Sequence, residues 1–436
     1  MTARKADAIV IGAGVIGNAV AFELGKRGYK TLNIDKLTEA GHGSTSNSCA
    51  LIRFFYSTYD GVATSYEGYY YWKDWENYLG VRDELGLIHY EQRGTIMLKT
   101  KGHDHQNVMQ LYDQVGVEYE EWDLATLKER VPQYDTHSFW PPRPIDDDEF
   151  WAEPPEELSG AVFTPQSGYV NDPQLAAHNL RRAAESQGGE FLFDREVASI
   201  RRADNRVVGV TLNDGYEIDA SIVVNVSGPH SFVINRMAGV EDEMKIKTRA
   251  LRHEVHHVPA PPNFDFEQFG HPTSDGDAGT YFRPEVGNKI AVGTEDPECD
   301  PREFVEDPDN YDRNFMEVHW KAQVYRLAKR IPDLQIPNRP QGVVDLYDVT
   351  DDWLPIYDKS SLDGFYMAVG TSGNQFKNAA IAGHMMAELI VACEDGHDHD
   401  ADPVQVIGPY TGLTLNMGSF SRNRQVNPNS SFTVRG

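Results

Sequence analysis

The run Ala6-Asp7-Ala8-Ile9-Val10-Ile11-Gly12-Ala13-Gly14-Val15-Ile16-Gly17 decides the fold. It reads as a buried strand that turns into a helix. Gly12, Gly14 and Gly17 stand in GxGxxG spacing, and each has a physical task. Gly12 permits a tight turn. Gly14, without a Cβ, lets a pyrophosphate approach the backbone, and Gly17 lets the helix pack closely on the strand. The helix N-terminus offers unpaired N–H groups and a positive dipole end to the phosphates. Gly28 falls where a helix C-cap belongs. The next apolar stretch, Thr31 to Ile34, ends at Asp35, 18 residues after Gly17. That carboxylate can accept from ribose hydroxyls and would repel a 2′-phosphate, which disfavours NADP. The same pattern also fits a Gly-rich strand-to-helix turn of another α/β protein. It does not separate NAD from FAD, since both present an ADP half.

A chain of 436 residues can bury a sizeable core and suggests two intertwined domains or one large one. Forty Lys and Arg against 67 Asp and Glu leave a net charge of −27. Such a surface repels nucleic acid and anionic lipid, so neither is expected as a partner. The excess acid reads either as a solvated surface or, more sharply, as adaptation to high salt. Stability unmoved between low and molar salt would sink the second reading. Three cysteines (Cys49, Cys299 and Cys393) form no CxxC pair, and their odd number argues against a disulfide framework. A reducing, cytoplasmic setting fits. No apolar run is long enough to span a membrane, and no signal-peptide core is visible.

Beyond Asp35 a polar loop runs from Gly41 to Ser48, and helical patterning follows from Tyr66 to Tyr78. Pro173 to Ser186 reads as a helix. Short strand patterns then lead to Ser221 to Val226, and residues 249 to 295 are strand-rich. Tyr311 to Arg330 and Lys377 to Cys393 read as helices. After His397 the Pro/Gly/Asn/Ser-rich tail is expected to wrap the surface.

Four further blocks carry chemistry. They are Gly43-Ser44-Thr45-Ser46-Asn47-Ser48-Cys49-Ala50-Leu51-Ile52-Arg53, then Val197 within Arg-Glu-Val-Ala-Ser-Ile, then Val223 to Ser231, and then Gly370-Thr371-Ser372-Gly373-Asn374-Gln375-Phe376-Lys377-Asn378. Taken alone, the Ser/Thr loop is as readily a polar surface loop as a phosphate cradle. Val197 alone reads as core, and Ser227-Gly228 as a routine turn at a strand's carboxyl end.

Together and in this order, with the N-terminal fingerprint, the blocks resemble the sarcosine oxidase / D-amino-acid oxidase family of FAD-dependent amine oxidoreductases, over residues 6 to about 393. Sarcosine oxidase β-subunits and dimethylglycine dehydrogenase-like members are the nearest likeness. The resemblance implies an α/β fold: a Rossmann-like FAD-binding domain (1–88, 160–232 and 345–400) with an inserted sheet-rich α+β substrate domain (89–159 and 233–344) and a C-terminal tail (401–436). It implies that FAD is held by Gly12, Gly14, Val15, Ile16, Gly17, Asp35, Lys36, Ser44, Thr45, Ser46, Ala50, Leu51, Val197, Ser227, Gly228, Gly373, Asn374, Gln375, Phe376 and Lys377. The block at Gly370 would aim a helix N-terminus at the flavin pyrimidine, favouring electron uptake there.

Arg53 and Lys377 match the two cations that hold a substrate carboxylate in the family, Arg by a bidentate grip and Lys as a point charge. The other reading is a structural Arg and a surface Lys. Tyr281 and Tyr347 fall where the resemblance implies active-site tyrosines, and they also read as buried aromatic core. His253, in Leu-Arg-His-Glu-Val-His-His, is a weaker substrate-side candidate. Strand alternation splits His253, His256 and His257 between two faces, which argues against a metal, and none is expected. The implied reaction passes hydride from the C–H beside nitrogen to flavin N5, with hydrolysis of the imine. It would act on a small carboxylate-bearing amine, a secondary or tertiary amino acid such as sarcosine or dimethylglycine. Oxygen or another electron carrier would be the acceptor. The alternatives are a D-amino or hydroxy acid on the same scaffold, or a noncatalytic flavin-binding subunit of a larger complex.

Three departures stand out. The family's Cys position for a covalent flavin link holds Asp345 or a neighbour, and the His used near the first polar loop is absent, with Asn47 in that region. Noncovalent FAD is therefore expected. The lysine that activates oxygen in monomeric sarcosine oxidases is replaced by Ala291, with Lys289 one strand step away. This puts oxidase activity in doubt and opens the reading of a dehydrogenase that uses another acceptor.

Overall fold

The structure, a computed structural model, describes residues 4–436. Ala8–Ile11 is a strand with all four side chains buried. Gly12 turns the chain with φ +117°, and helix Val15–Lys26 follows. Gly28, at φ +86°, lies just past the helix's C-cap, as the sequence predicts. Thr31–Ile34 pairs parallel with the first strand, Ala8 opposite Thr31. These strands lie in a six-stranded sheet ordered Glu190–Leu192, Thr31–Ile34, Ala8–Ile11, Ile222–Asn225, Phe365–Val369 and Ile356–Lys359. The first five run parallel and the last antiparallel.

The central strands are apolar on both faces because both are covered. Helices Val15–Lys26, Pro173–Ser186 and Ala379–Glu394 cover one face. A Cβ on Gly383 would lie 2.6 Å from the Ala19 backbone, so two of these helices meet almost backbone to backbone. The other face is covered by a four-stranded sheet containing Val197–Ala203 and Arg206–Leu212.

A second, nine-stranded sheet lies over the carboxyl ends of the parallel strands. Its path is Glu303–Val305, Thr248–Pro259, Lys289–Thr294, Thr280–Glu285, Thr273–Asp275, Thr95–Leu98, Gly160–Thr164 and Glu120–Asp123, and Gly342–Thr350 also pairs with Thr248–Pro259. Helix Glu317–Arg330 closes the core behind it with Trp320, Val324 and Leu327. Among the described residues no helix is long and apolar enough to cross a membrane.

Three local expectations shift. The first helix after the polar loop begins earlier than its apolar pattern, at Tyr59, because Thr58 Oγ1 caps it by accepting from Gly61 N–H at 3.2 Å. The helix predicted from Tyr311 begins only at Glu317. Buried Arg252 holds the preceding stretch by donating to the Asp312 and Asn314 carbonyls at 2.8 and 2.5 Å. The tail does not simply wrap the surface. Glu67 and Asp60 pin its hairpin of Gln405–Ile407 and Thr414–Asn416, Asp358 and Asp352 anchor the chain beyond, and Val434 and Arg435 end buried inside the molecule.

Candidate active site

One cavity of about 580 Å³ runs from the Gly12 turn to the inner face of the nine-stranded sheet. Every residue that the resemblance assigns to FAD, Ser46 excepted, lines it, as do Arg53, Tyr281, Tyr347 and His253. Ser46 stands outside the lining. Its hydroxyl turns back to donate to the Gly43 carbonyl at 2.9 Å, closing its own turn.

At one end the glycines form a cradle. A Cβ on Gly12 would lie 2.4 Å from the Val226 carbonyl oxygen, and one on Gly17 would lie 2.4 Å from the Gly12 carbonyl. Gly14 has only Thr45 Oγ1 nearby, at 3.1 Å, and nothing lies within 4 Å of a Cβ on Gly228, so space opens at both. Thr45 Oγ1 also accepts from Val15 N–H at 3.1 Å. Asp35 accepts from Ala13 N–H at 2.7 Å and from Leu37 N–H at 2.9 Å. Burial pushes its pKa up, while these two donors pull the other way. A carboxylate has about four acceptor positions, so some remain for ribose hydroxyls. Ser44 Oγ donates to the Leu346 carbonyl at 2.9 Å, tying the polar loop to the second sheet. Lys36 Nζ sits 2.8 Å from His230 Nε2 at the cavity's outer rim. The cradle, the acid and the open path fit an FAD.

At the other end Phe376–Asn378 makes one tight turn before helix Ala379–Glu394, which has no side-chain cap. The Ala379 N–H bonds back to the Phe376 carbonyl, so the cavity is lined here by Gly373 to Lys377 rather than by the helix itself. Asp348 is fully enclosed beneath this loop and accepts from Ser231 Oγ at 2.7 Å and Gly370 N–H at 2.6 Å. Burial pushes its pKa up to about 7.

Arg53 is 7% exposed and donates to the Phe55 carbonyl at 2.6 Å and the Val434 carbonyl at 2.5 Å. Lys377 is buried, and its Nζ donates to the Asn374 carbonyl. Neither cation has a carboxylate within 4.0 Å among the described residues. Burial and the Arg53 charge push the Lys377 pKa well below the usual lysine range. Both cations lie near one ring, Tyr56: Arg53 Cζ at 5.1 Å and Lys377 Nζ at 4.8 Å from its centroid. Burying a cation without an opposite charge costs several kcal/mol. An anionic group of a ligand would offset that cost.

Opposite the cations, Tyr281 and Tyr347 bring their hydroxyls to 3.4 Å. His253 stacks on Tyr347 with ring centroids 4.1 Å apart, and its Nε2 lies 2.9 Å from Asp296 Oδ1. Gly373 makes this possible, since a Cβ there would lie 2.3 Å from the Tyr347 ring.

Two residues that sequence reasoning missed complete the group. Glu295 directly follows the strand Lys289–Thr294, and the sequence shows it only as the start of an acid-rich stretch. It is 4% exposed, accepts from Ser274 Oγ at 2.5 Å, and leaves Oε2 without a hydrogen-bond partner. Burial raises its pKa, against the pull of Arg435. Arg435 arrives from the tail, where no periodic pattern marks it.

The chain matches the family described as DAO, FAD dependent oxidoreductase, over residues 7–389. It is 26% identical over 395 residues to the sarcosine oxidase subunit beta of Rhodobacter capsulatus, covering 89% of this chain and 85% of that one. It is 24% identical over 415 residues to the glycine oxidase of Geobacillus kaustophilus, covering 91% and 95%. Among solved structures, the L-proline dehydrogenase from P. horikoshii superposes with a TM-score of 0.72 at 24% identity, covering 90% of this chain and 94% of that one. A match that runs through the cradle, the polar loop and the Gly370 block makes this chain a member of the DAO family of FAD-dependent oxidoreductases.

Proposed function

We propose that this enzyme oxidises the C–N bond of a small secondary or tertiary amino acid, N-methyl amino acids such as sarcosine and dimethylglycine leading. The observation that carries the reading is the pair of buried cations, Arg53 and Lys377, neither with a carboxylate within 4.0 Å among the described residues, beside a Tyr281–Tyr347 pair on the same cavity. Bound FAD supplies the two-electron acceptor for the C–H bond beside nitrogen. Arg53 and Lys377 hold the substrate carboxylate. Tyr281 and Tyr347 orient the amine, and the buried Glu295 Oε2 takes the ammonium proton so that nitrogen reacts neutral. The sequence-related names of sarcosine and glycine oxidases support an amino-acid substrate. We assign FAD contacts to the cradle, Asp35, Thr45, Val197 and the Gly373–Lys377 turn. We place domain limits by sheet, so that Gly160–Thr164 and Gly342–Thr350 go with the substrate domain.

The acceptor follows from the strand Lys289–Thr294. Ala291 is buried within it and Lys289 is half-buried outside the cavity lining, so no lysine of this strand faces the site. We infer a dehydrogenase that reoxidises slowly in air. Turnover of N-methyl, D-amino and 2-hydroxy acids with a dye acceptor tests the function. Formaldehyde released in step with acceptor reduction is the expected result. Keto acid formed without formaldehyde would favour the D-amino or hydroxy acid alternative.

A further inference from the structure

The substrate end of the cavity holds one more positive charge than a single carboxylate requires. Besides Arg53 and Lys377, the tail inserts Arg435, 7% exposed, into the same lining. The tail is fixed there by several bonds. Ser430 Oγ donates to the Asp352 carbonyl at 2.6 Å, Arg302 to the Phe432 carbonyl at 2.7 Å, and Arg53 to the Val434 carbonyl at 2.5 Å.

The Arg435 guanidinium has a single acid near it, shared with Arg53. Nη2 meets the Met97 sulfur at 3.4 Å, and Nη1 meets the His103 ring. That imidazole is itself held neutral, since burial and the Arg435 charge push its pKa down to about 2. The one acid is Glu295, whose Oε2 lies 3.6 Å away, beyond a hydrogen bond. Arg53 and Arg435 also share one neighbour, the Phe55 ring, with Cζ atoms 4.1 and 5.5 Å from its centroid. Two like charges about one ring in a low-dielectric site repel each other. Three cations therefore face one protein acid. One substrate carboxylate leaves the group positive, and a second lowers that excess further.

We propose that Arg435 is a second anion-holding residue and that the preferred substrate is an amine bearing two carboxylates. This rests on the amine-oxidising reading above. Arg53 and Lys377 would take the carboxylate next to the reacting carbon. Arg435, reached past Phe55, would take the other. The specificity residue is thus delivered by the tail, outside every block that the family resemblance uses.

The test uses the FAD-loaded enzyme and two non-oxidisable anions, malonate and acetate, read by perturbation of the flavin spectrum. Malonate should bind at least about tenfold tighter than acetate, as a hydrogen-bonded charge pair allows. Arg435→Gln should lose that preference while acetate affinity moves less than about threefold, and Arg435→Lys should retain part of it. Equal binding of the two anions to the wild type, or an equal loss of both in the variant, would overturn the proposal. If Arg435→Gln fails to retain FAD, the Arg435→Lys ratio decides alone: an unchanged malonate-to-acetate ratio would count against Arg435. In a parallel arm, N-methylaspartate should reduce the flavin faster than sarcosine, and the reverse order would overturn the proposal. If no amine reduces the flavin while the Arg435-dependent malonate preference holds, the amine-oxidising reading falls and the second anion site stands.

Discussion

The Asn47 side-chain amide donates to the Asp345 carboxylate at 2.6 Å, tying the first polar loop to the Gly342–Thr350 strand. Asp345 also accepts from its neighbour Leu346 N–H at 2.7 Å and from the Tyr311 hydroxyl at 3.3 Å. These are the two regions where the family resemblance implies covalent flavin links. Here they hold an amide and a carboxylate engaged with each other. We predict that acid precipitation releases all the FAD and leaves a colourless pellet. A yellow pellet would contradict this.

Arg53 holds its place through backbone carbonyls rather than an acid, so its charge is free for a ligand. Arg53→Ala should raise KM for carboxylate substrates by about a hundredfold, the value of a charge-assisted pair. Uncharged amines should be affected far less. An unchanged KM would remove Arg53 from substrate binding.

Gly12 and Gly14 should fail in different ways. A Cβ at Gly12 meets the Val226 backbone and φ is +117°, so nothing flexible can yield. Gly12→Ala should destabilise the fold by roughly 3 kcal/mol or more, seen as a fall in Tm even without FAD. At Gly14 the one close atom is the Thr45 hydroxyl, at 3.1 Å. Gly14→Ala should keep the apoprotein's Tm and weaken FAD binding. Equal Tm losses in the two variants would refute the distinction.

Asp348 makes stability depend on pH. Its folded pKa, about 7, lies above the usual 3.8. The stabilising contribution of the neutral acid is therefore complete below about pH 4 and is lost as pH rises through 7. Asp348→Asn mimics the protonated acid and stays neutral. The variant should gain on the wild type between pH 4 and 8, by up to roughly 4 kcal/mol. A gap that stays constant over that range would contradict the assignment.

Much of this site is legible in the sequence because its demands are local. The spacing of Gly12, Gly14 and Gly17 follows from one turn and one helix start, and Asp35 from the end of the next strand. Ser44, Thr45 and Ser46 read alike as hydroxyls, yet only the first two reach the cavity, since the third satisfies its own turn. Glu295 comes one residue after a strand whose alternation is readable, but what faces the cavity there depends on how two sheets meet. Arg435 is the least legible. Its meaning depends on Arg53, bonded to the adjacent Val434 across 381 residues, and tail composition carries no trace of that contact.

The central claim is that buried cations and a tyrosine pair position an amino acid for oxidation at the C–N bond. Anaerobic titration of the flavin absorbance with N-methyl, D-amino and 2-hydroxy acids tests it most directly. The account predicts that N-methyl amino acids bleach the flavin, those with two carboxylates at the lowest concentrations, and that colour returns slowly in air. Bleaching by hydroxy or D-amino acids alone, or by no carboxylate-bearing amine at all, would contradict it.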